Sequence, residues 1–122
     1  MVTRDQGLDR LLSMDGQSFR DESGYWWKIE VRRVRVTPAR PHGIKYSLTL
    51  HNGFGERVLG FDNAHAVSNK MFGKSASRVV EYDHVHTSGK GKVKPYAFQS
   101  ADQLLVDFFT TVNKVIDHES DA

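Results

Sequence analysis

Two imidazoles stand two residues apart in Glu81-Tyr82-Asp83-His84-Val85-His86, and Asp62-Asn63-Ala64-His65 holds a carboxylate, an amide and a third imidazole. On a strand, Tyr82, His84 and His86 project to one face while Asp83 and Val85 project to the other, which spaces the two rings about 7 Å apart. That spacing suits shared work on one phosphate. Cleaving RNA without a metal takes a base for the ribose 2′-hydroxyl proton, an acid for the leaving oxygen and cations for the extra phosphate charge. Histidine serves in both proton roles because its ordinary pKa, about 6.5, lies close to physiological pH. His84 and His86 are therefore the candidate catalytic pair, with Asp62 as the carboxylate that orients them and Asp83 beside them. Lys70, Lys74 or Arg78 could supply the cation where charge develops.

The same residues admit plainer uses. A His-x-His on a strand also occurs as a surface pair or satisfies local hydrogen bonds, and Asp62-Asn63 can stop a strand by bonding side chain to backbone. With Asp62, Asp83 or His65, the histidines could complete a metal shell, but cysteine is absent and no His-Glu-x-x-His helix occurs. The reading taken here uses no metal and no cofactor. Phosphate-binding loops, dinucleotide turns and Ser-His-Asp hydrolysis lack their strand-turn-helix setting. Trp26, Trp27, Tyr46 and Tyr96 could stack on bases, or they could pack within the sheet.

Charge is unevenly spread behind a net value of only +2. Between Gly24 and Phe98 there are thirteen Lys and Arg against five acids, a surplus of eight. Beyond Phe98 the signs reverse, with Asp102, Asp107, Asp117, Glu119 and Asp121 against Lys114. A basic body fits a polyanion, since each cation that meets a phosphate releases a counterion; a well-solvated basic surface is the plain alternative. Candidate phosphate contacts are Lys45, Lys70, Lys74 and Arg78, together with Lys90, Lys92 and Lys94 around a glycine-lysine turn.

The elements that must position these groups are legible from period. At 122 residues, with 39% hydrophobic and 26% charged residues, the chain suits one domain with one core. Leu8, Leu11, Leu12 and Met14 mark a short helix within an N-terminal extension over 1–20. Tyr25 onward alternates with period two until Arg32-Arg33, where Val34 and Val36 take over the apolar parity, as a β-bulge would produce. Ile44 to Leu50 alternates cleanly, His51 to Gly55 suits a hairpin turn, and Arg57 to Asp62 returns as its partner. Asn63 to Ser77 reads as an extended loop, Val79 to His86 as a strand and Val93 to Phe98 as a short last strand. Ser100 and Gln103 fit a capping box for a helix over 100–117, whose apolar stripe runs from Ala101 through Leu104, Phe108 and Val112 to Ile116. Residues 118–122 are expected as a tail. The fold class is α+β, with an antiparallel sheet of about five strands over 24–98 packed by the C-terminal amphipathic helix. No apolar run reaches the roughly 18 residues that cross a bilayer, and Met1 to Arg10 is polar. The expected setting is the cytoplasm, with no membrane partner.

Lys45-Tyr46, Gly60-Phe61-Asp62-Asn63, Tyr82-Asp83-His84-Val85-His86, Pro95-Tyr96-Ala97-Phe98 and Leu104-Leu105-Val106-Asp107-Phe108 follow one another in an order and spacing that resemble the TumE-like toxins of bacterial type II toxin–antitoxin systems. The resemblance runs from about Tyr25 to Val112. It departs in a longer loop between Asn63 and Asp83 and in the stretch before Asp21. It implies a growth-inhibiting toxin of several strands and a closing helix, neutralised by a cognate protein antitoxin, with RNA as the plausible target. The motif positions it carries over are Asp62, Asn63, Asp83, His84 and His86, with Asn63 as a candidate RNA contact. The resulting expectation is a metal-independent ribonuclease toxin; a non-enzymatic module that binds nucleic acid or protein is the alternative.

Overall fold

Strict alternation makes β3 (Ile44–His51) the reference strand, since every second residue from Ile44 to Leu50 is buried. A computed structural model describes residues 6–38, 40–63, 67–68, 80–81, 83–87 and 92–120. Around β3 runs a six-stranded antiparallel sheet. Its other strands are β1 (Ser18–Arg20), β2 (Trp26–Arg33), β4 (Arg57–Asp62), β7 (His84–Thr87) and β8 (Lys92–Pro95), in the spatial order β1-β2-β3-β4-β7-β8. A two-stranded ribbon, β5 (Val67–Ser68) with β6 (Val80–Glu81), intervenes in the chain between β4 and β7. Helices α1 (Gln6–Ser13) and α2 (Ala101–Ser120) complete the α+β architecture.

The expected sheet and both helices are present, with six strands in the main sheet where about five were expected. The additional one is β1, a three-residue edge strand whose pairing is extended by loop groups: Ile29 donates its amide to Gln17 O, and Val31 donates its own to Asp15 Oδ1. The bulge expected at Arg32-Arg33 is absent. β2 pairs with β3 in unbroken register as far as Arg33 opposite Ile44, and the parity change there is the strand's end. The irregularity falls instead between Leu50 and His51, where one extra residue enters β4. The strand expected over 79–86 is two, β6 and β7, and most of the loop expected over 63–77 lies outside the described residues. The C-terminal helix extends three residues past its expected end, to Ser120.

One face of the sheet takes both helices. Leu11 of α1 and Ala101, Leu104, Phe108 and Val112 of α2 are buried against Ile29, Val31, Tyr46, Leu48, Leu50, Leu59 and Phe61. Phe61 meets Phe108 edge-on at 5.8 Å and Tyr96 at 5.2 Å, and Trp27 meets Phe109 at 5.2 Å, the geometry that aromatic quadrupoles favour. Half of the capping box forms: Gln103 donates its amide to Ser100 Oγ, while its side chain donates to Asp107 Oδ1 rather than reaching back. At Gly7, a Cβ would stand 2.6 Å from Asp102 Cγ, so glycine lets α1 approach the first turn of α2. Arg10 then donates to both Asp102 oxygens at 2.9 Å.

Asn63 ends β4 and ties it to β3. Its Nδ2 donates to Ile44 O and its Oδ1 accepts from Tyr46 N, both at 2.9 Å, and the residue is 0% exposed. Asn63→Leu would leave two buried backbone groups unpaired at about 1–3 kcal/mol each, so urea unfolding should show a loss of at least about 2 kcal/mol. Arg10→Met removes an exposed pair worth about 0–1 kcal/mol and serves as the contrast. Equal losses in the two variants would contradict this assignment.

Candidate functional site

Registers across β3, β4 and β7 fix what the other face of the sheet presents. Asp62 lies opposite His84 and Ser47, and Gly60 lies opposite His86 and Thr49. Paired residues point to the same side, so Ser47, Thr49, Asp62, His84 and His86 share the face turned away from the helices. Lys28, Glu30 and Arg32 of β2 and Lys45 of β3 share it too. His86 Nε2 stands 2.9 Å from Asp62 Oδ2, and the two imidazole rings are 6.0 Å apart between centroids. His84 is only 2% exposed, whereas the His86 side chain is 22% exposed. His84 Nε2 is buried and finds no hydrogen-bond partner among the described residues.

The bulge at Leu50/His51 brings a cation to this group. Val58 is the extra residue, so Arg57 pairs with His51 and its guanidinium lies over Gly60, whose added Cβ would be 3.6 Å from Arg57 Nη1. Gly60 is the cross-strand neighbour of His86, which places Arg57 beside the histidines. His51 stacks on Trp26 with ring centroids 4.0 Å apart and an interplanar angle of 11°, and its Nε2 meets Thr49 Oγ1 at 3.0 Å. Arg57 and His51 escaped the sequence reading. The signal that could have found them is the glycine two residues before Asp62 in a strand leaving a tight turn, since a strand glycine often marks a bulge or a close approach.

Burial is the main force on the partly buried His86 and His51. It lowers the pKa of His86 below the ordinary 6.5; Asp62 opposes the shift, and the charges of Arg57 and His84 reinforce it. Burial likewise lowers that of His51, with Arg57 and Lys28 adding to the effect and a hydrogen bond to the Gly55 backbone opposing it. The contact between His86 and Asp62 is therefore, at neutral pH, a neutral imidazole donating to a carboxylate rather than a full ion pair.

Other expected site residues go elsewhere. Asp83 turns away from the histidines: its Oδ2 accepts from Tyr46 Oη at 2.7 Å and stands 3.1 Å from His42 Nε2. Burial, then Asp83 itself, pushes the Tyr46 phenol far above its ordinary value. Asn63 is consumed in bridging β3, and Arg40 donates to its carbonyl oxygen. Lys94 pairs with Val85 and lines a groove on the helix side with Tyr96, Asp107 and Lys114; Lys92 pairs with Thr87, in the same parity. Lys45 borders a cavity of about 260 Å³ with Glu30, Arg32 and Ser47, the last of these opposite Asp62. His65, Lys70, Lys74, Arg78, Tyr82 and Lys90 lie outside the described residues. Of the aromatic candidates, Trp26 alone shares the histidine face; Trp27 and Tyr46 belong to the helix side, and Tyr96 donates to Asp107.

One imidazole ring nitrogen from each histidine and one Asp62 oxygen all fall within 4.8 Å of one another. Such a set can hold a cation or pass protons. A family model described as Toxin TumE matches residues 14–116, and among the described residues no helix is long and apolar enough to cross a membrane. No curated protein and no solved structure matches the chain.

Both lowered histidines make stability depend on pH with a definite sign. Their unfolded rings bind protons that the native rings resist, so stability rises with pH through the window below 6.5 and is lost as pH falls through it. Urea midpoints between pH 7.5 and pH 5 should fall on the acid side. In Asp62→Asn, proton NMR should show the His86 pKa dropping further; a rise would contradict the balance of forces described here.

Proposed function

Because the chain belongs to the TumE toxin family, we propose that it is the toxin component of a toxin–antitoxin system and acts in the cytoplasm as a metal-independent ribonuclease. The pairing of His86 with Asp62, beside a second imidazole, carries the reading. At neutral pH His86 would serve as the base, since burial keeps it unprotonated and Asp62, accepting the hydrogen bond from Nε2–H, leaves Nδ1 with its lone pair. His86 would accept the ribose 2′-hydroxyl proton, the 2′-oxygen would bond to phosphorus, and the bond from phosphorus to the 5′-oxygen would break. His84 would protonate that leaving oxygen, its ring, only 2% exposed, turning outward to reach it. A 2′,3′-cyclic phosphate and a free 5′-hydroxyl would result.

Arg57 suits the developing charge. Its guanidinium lies over Gly60, next to His86, and charge at that place acts on the transition state more than on the ground state. Lys28, Arg32 and Lys45, on the same face, would hold the flanking phosphates; Ser47, Arg32 and Lys45 line the cavity next to Asp62. His86→Ala should lower cleavage of a labelled single-stranded RNA by roughly 100- to 10,000-fold while RNA affinity changes little. Arg57→Ala should weaken both. Activity should persist in chelator. Undiminished growth arrest by His86→Ala would leave the non-enzymatic binding module as the better account.

A cognate antitoxin would dock on the same basic face, because covering it blocks RNA and relieves repulsion among Arg32, Lys45 and Arg57, Lys28 being paired with Glu30 at 3.4 Å. Its contact segment is then acidic. The complex should dissociate faster as salt is raised, measured by surface plasmon resonance; an off-rate and affinity indifferent to salt would contradict electrostatic docking.

A further inference from the structure

Asp62, His84 and His86 resemble a cation site in three respects. Their donor atoms lie within 4.8 Å of one another, the set is two imidazoles and one carboxylate, and all three side chains are largely buried. The buried Nε2 of His84, which has no hydrogen-bond partner among the described residues, is a further, independent sign, since a polar atom shielded from water ordinarily has one. We propose that these three residues form a site for a borderline divalent transition ion of the zinc class, and that the bound ion silences the toxin.

The donor chemistry selects the ion. Two imidazoles and one carboxylate suit zinc and its neighbours, whereas magnesium and calcium favour oxygen donors. Zinc bonds to nitrogen and oxygen are about 2.0–2.2 Å, so tetrahedral ligand atoms stand about 3.3 Å apart. His86 and Asp62 are already at 2.9 Å, and the widest separation, at most 4.8 Å, closes by rotation of the imidazole rings. The fourth position is left to water.

Silencing follows from the lone pairs. A neutral imidazole has one, on the nitrogen that carries no proton, and an ion that takes it removes the group that would accept the 2′-hydroxyl proton. His86 accommodates the ion by shifting its proton between ring nitrogens, and Asp62 exchanges that proton for the metal, so no proton need leave the site. His84 bound to the ion likewise cannot deliver a proton to the leaving oxygen. Zinc and RNA cleavage therefore exclude each other. The silencing rests on the ribonuclease reading; the site itself rests only on geometry.

The test uses the full chain with Co²⁺ as a spectroscopic probe and Zn²⁺ as its competitor. Wild type should bind one Co²⁺ with visible d–d absorption that one equivalent of Zn²⁺ abolishes and millimolar Mg²⁺ does not. Asp62→Asn and His86→Ala should each lower Zn²⁺ affinity on the order of 100-fold or more, because even losing a supporting group around a metal costs about 10- to 100-fold. His118→Ala, at the exposed end of α2, should leave it unchanged. His86→Ala, at the more exposed ring, keeps the test decisive if His84→Ala does not fold. Absence of stoichiometric Co²⁺ binding, or affinity unaffected by both variants, would overturn the site. Wild-type cleavage should stop with one equivalent of Zn²⁺ and return with chelator. Cleavage that requires Zn²⁺ would overturn the silencing and the metal-free reading together, while no cleavage in either state, with binding intact, would overturn the ribonuclease reading and the silencing that rests on it and leave the site standing.

Discussion

Strand β4 has neighbours on both edges and opposite demands on its two faces, and its register governs everything else. Phe61 must enter the aromatic cluster with Phe108 and Tyr96, while the next residue, Asp62, must emerge beside His84 and His86. A slip of one residue would exchange them, putting a carboxylate under the helix and a phenyl ring among imidazoles. Asn63 holds the register by bonding to two backbone groups of β3 that would otherwise lack partners. The bulge near Arg57 absorbs the mismatch at the other end of the strand. A core contact and a site contact thus depend on the same short run of residues.

The division of carboxylates follows from that register. Asp62 and Asp83 are both adjacent to the histidine motif in the sequence or across the sheet, yet they face opposite sides. Asp83 precedes β7 and turns to the side where Tyr46 offers a phenol and His42 an imidazole, so its charge is spent within the fold. Asp62 remains with the histidines. Burial holds the His86 and His51 rings below their ordinary pKa, Arg57 adds to the effect at both, and Asp62 opposes it at His86. A neutral imidazole beside such a cation can act as a base.

Alternation made β3, the hairpin and the amphipathic helix legible, because burial on one face imposes a period that sequence displays directly. Asp62, His84 and His86 were legible as a group for the same reason: strand parity set the histidines on one side, and strand pairing then supplied the carboxylate. Less local facts escaped. Strand β1 is three residues, Ser18 to Arg20, too short to show a period, and it is held by backbone bonds that any residues could make. The place of Arg57 depends on a bulge against β3, which is a relation between two strands and not a pattern in one. Lys94 looked like part of a basic turn, but its parity is that of Val85, and one residue of offset placed it on the helix side. Charge count along a chain says how many cations exist; only register says which share a surface.

His84 completes the account through an energetic cost. A buried nitrogen without a partner costs about 1–3 kcal/mol, comparable to a substantial share of the stability of a small domain. An apolar residue at that position, opposite Pro95 and next to Asp62 across the sheet, would avoid the cost and pack as well. A fold optimised for stability alone would not keep an imidazole there. The buried ring becomes intelligible if its nitrogen engages something that the described residues do not supply, a phosphate oxygen awaiting a proton or a metal ion. Such local penalties, offset by a well-packed core on the opposite face, are where structure departs from stability in favour of chemistry.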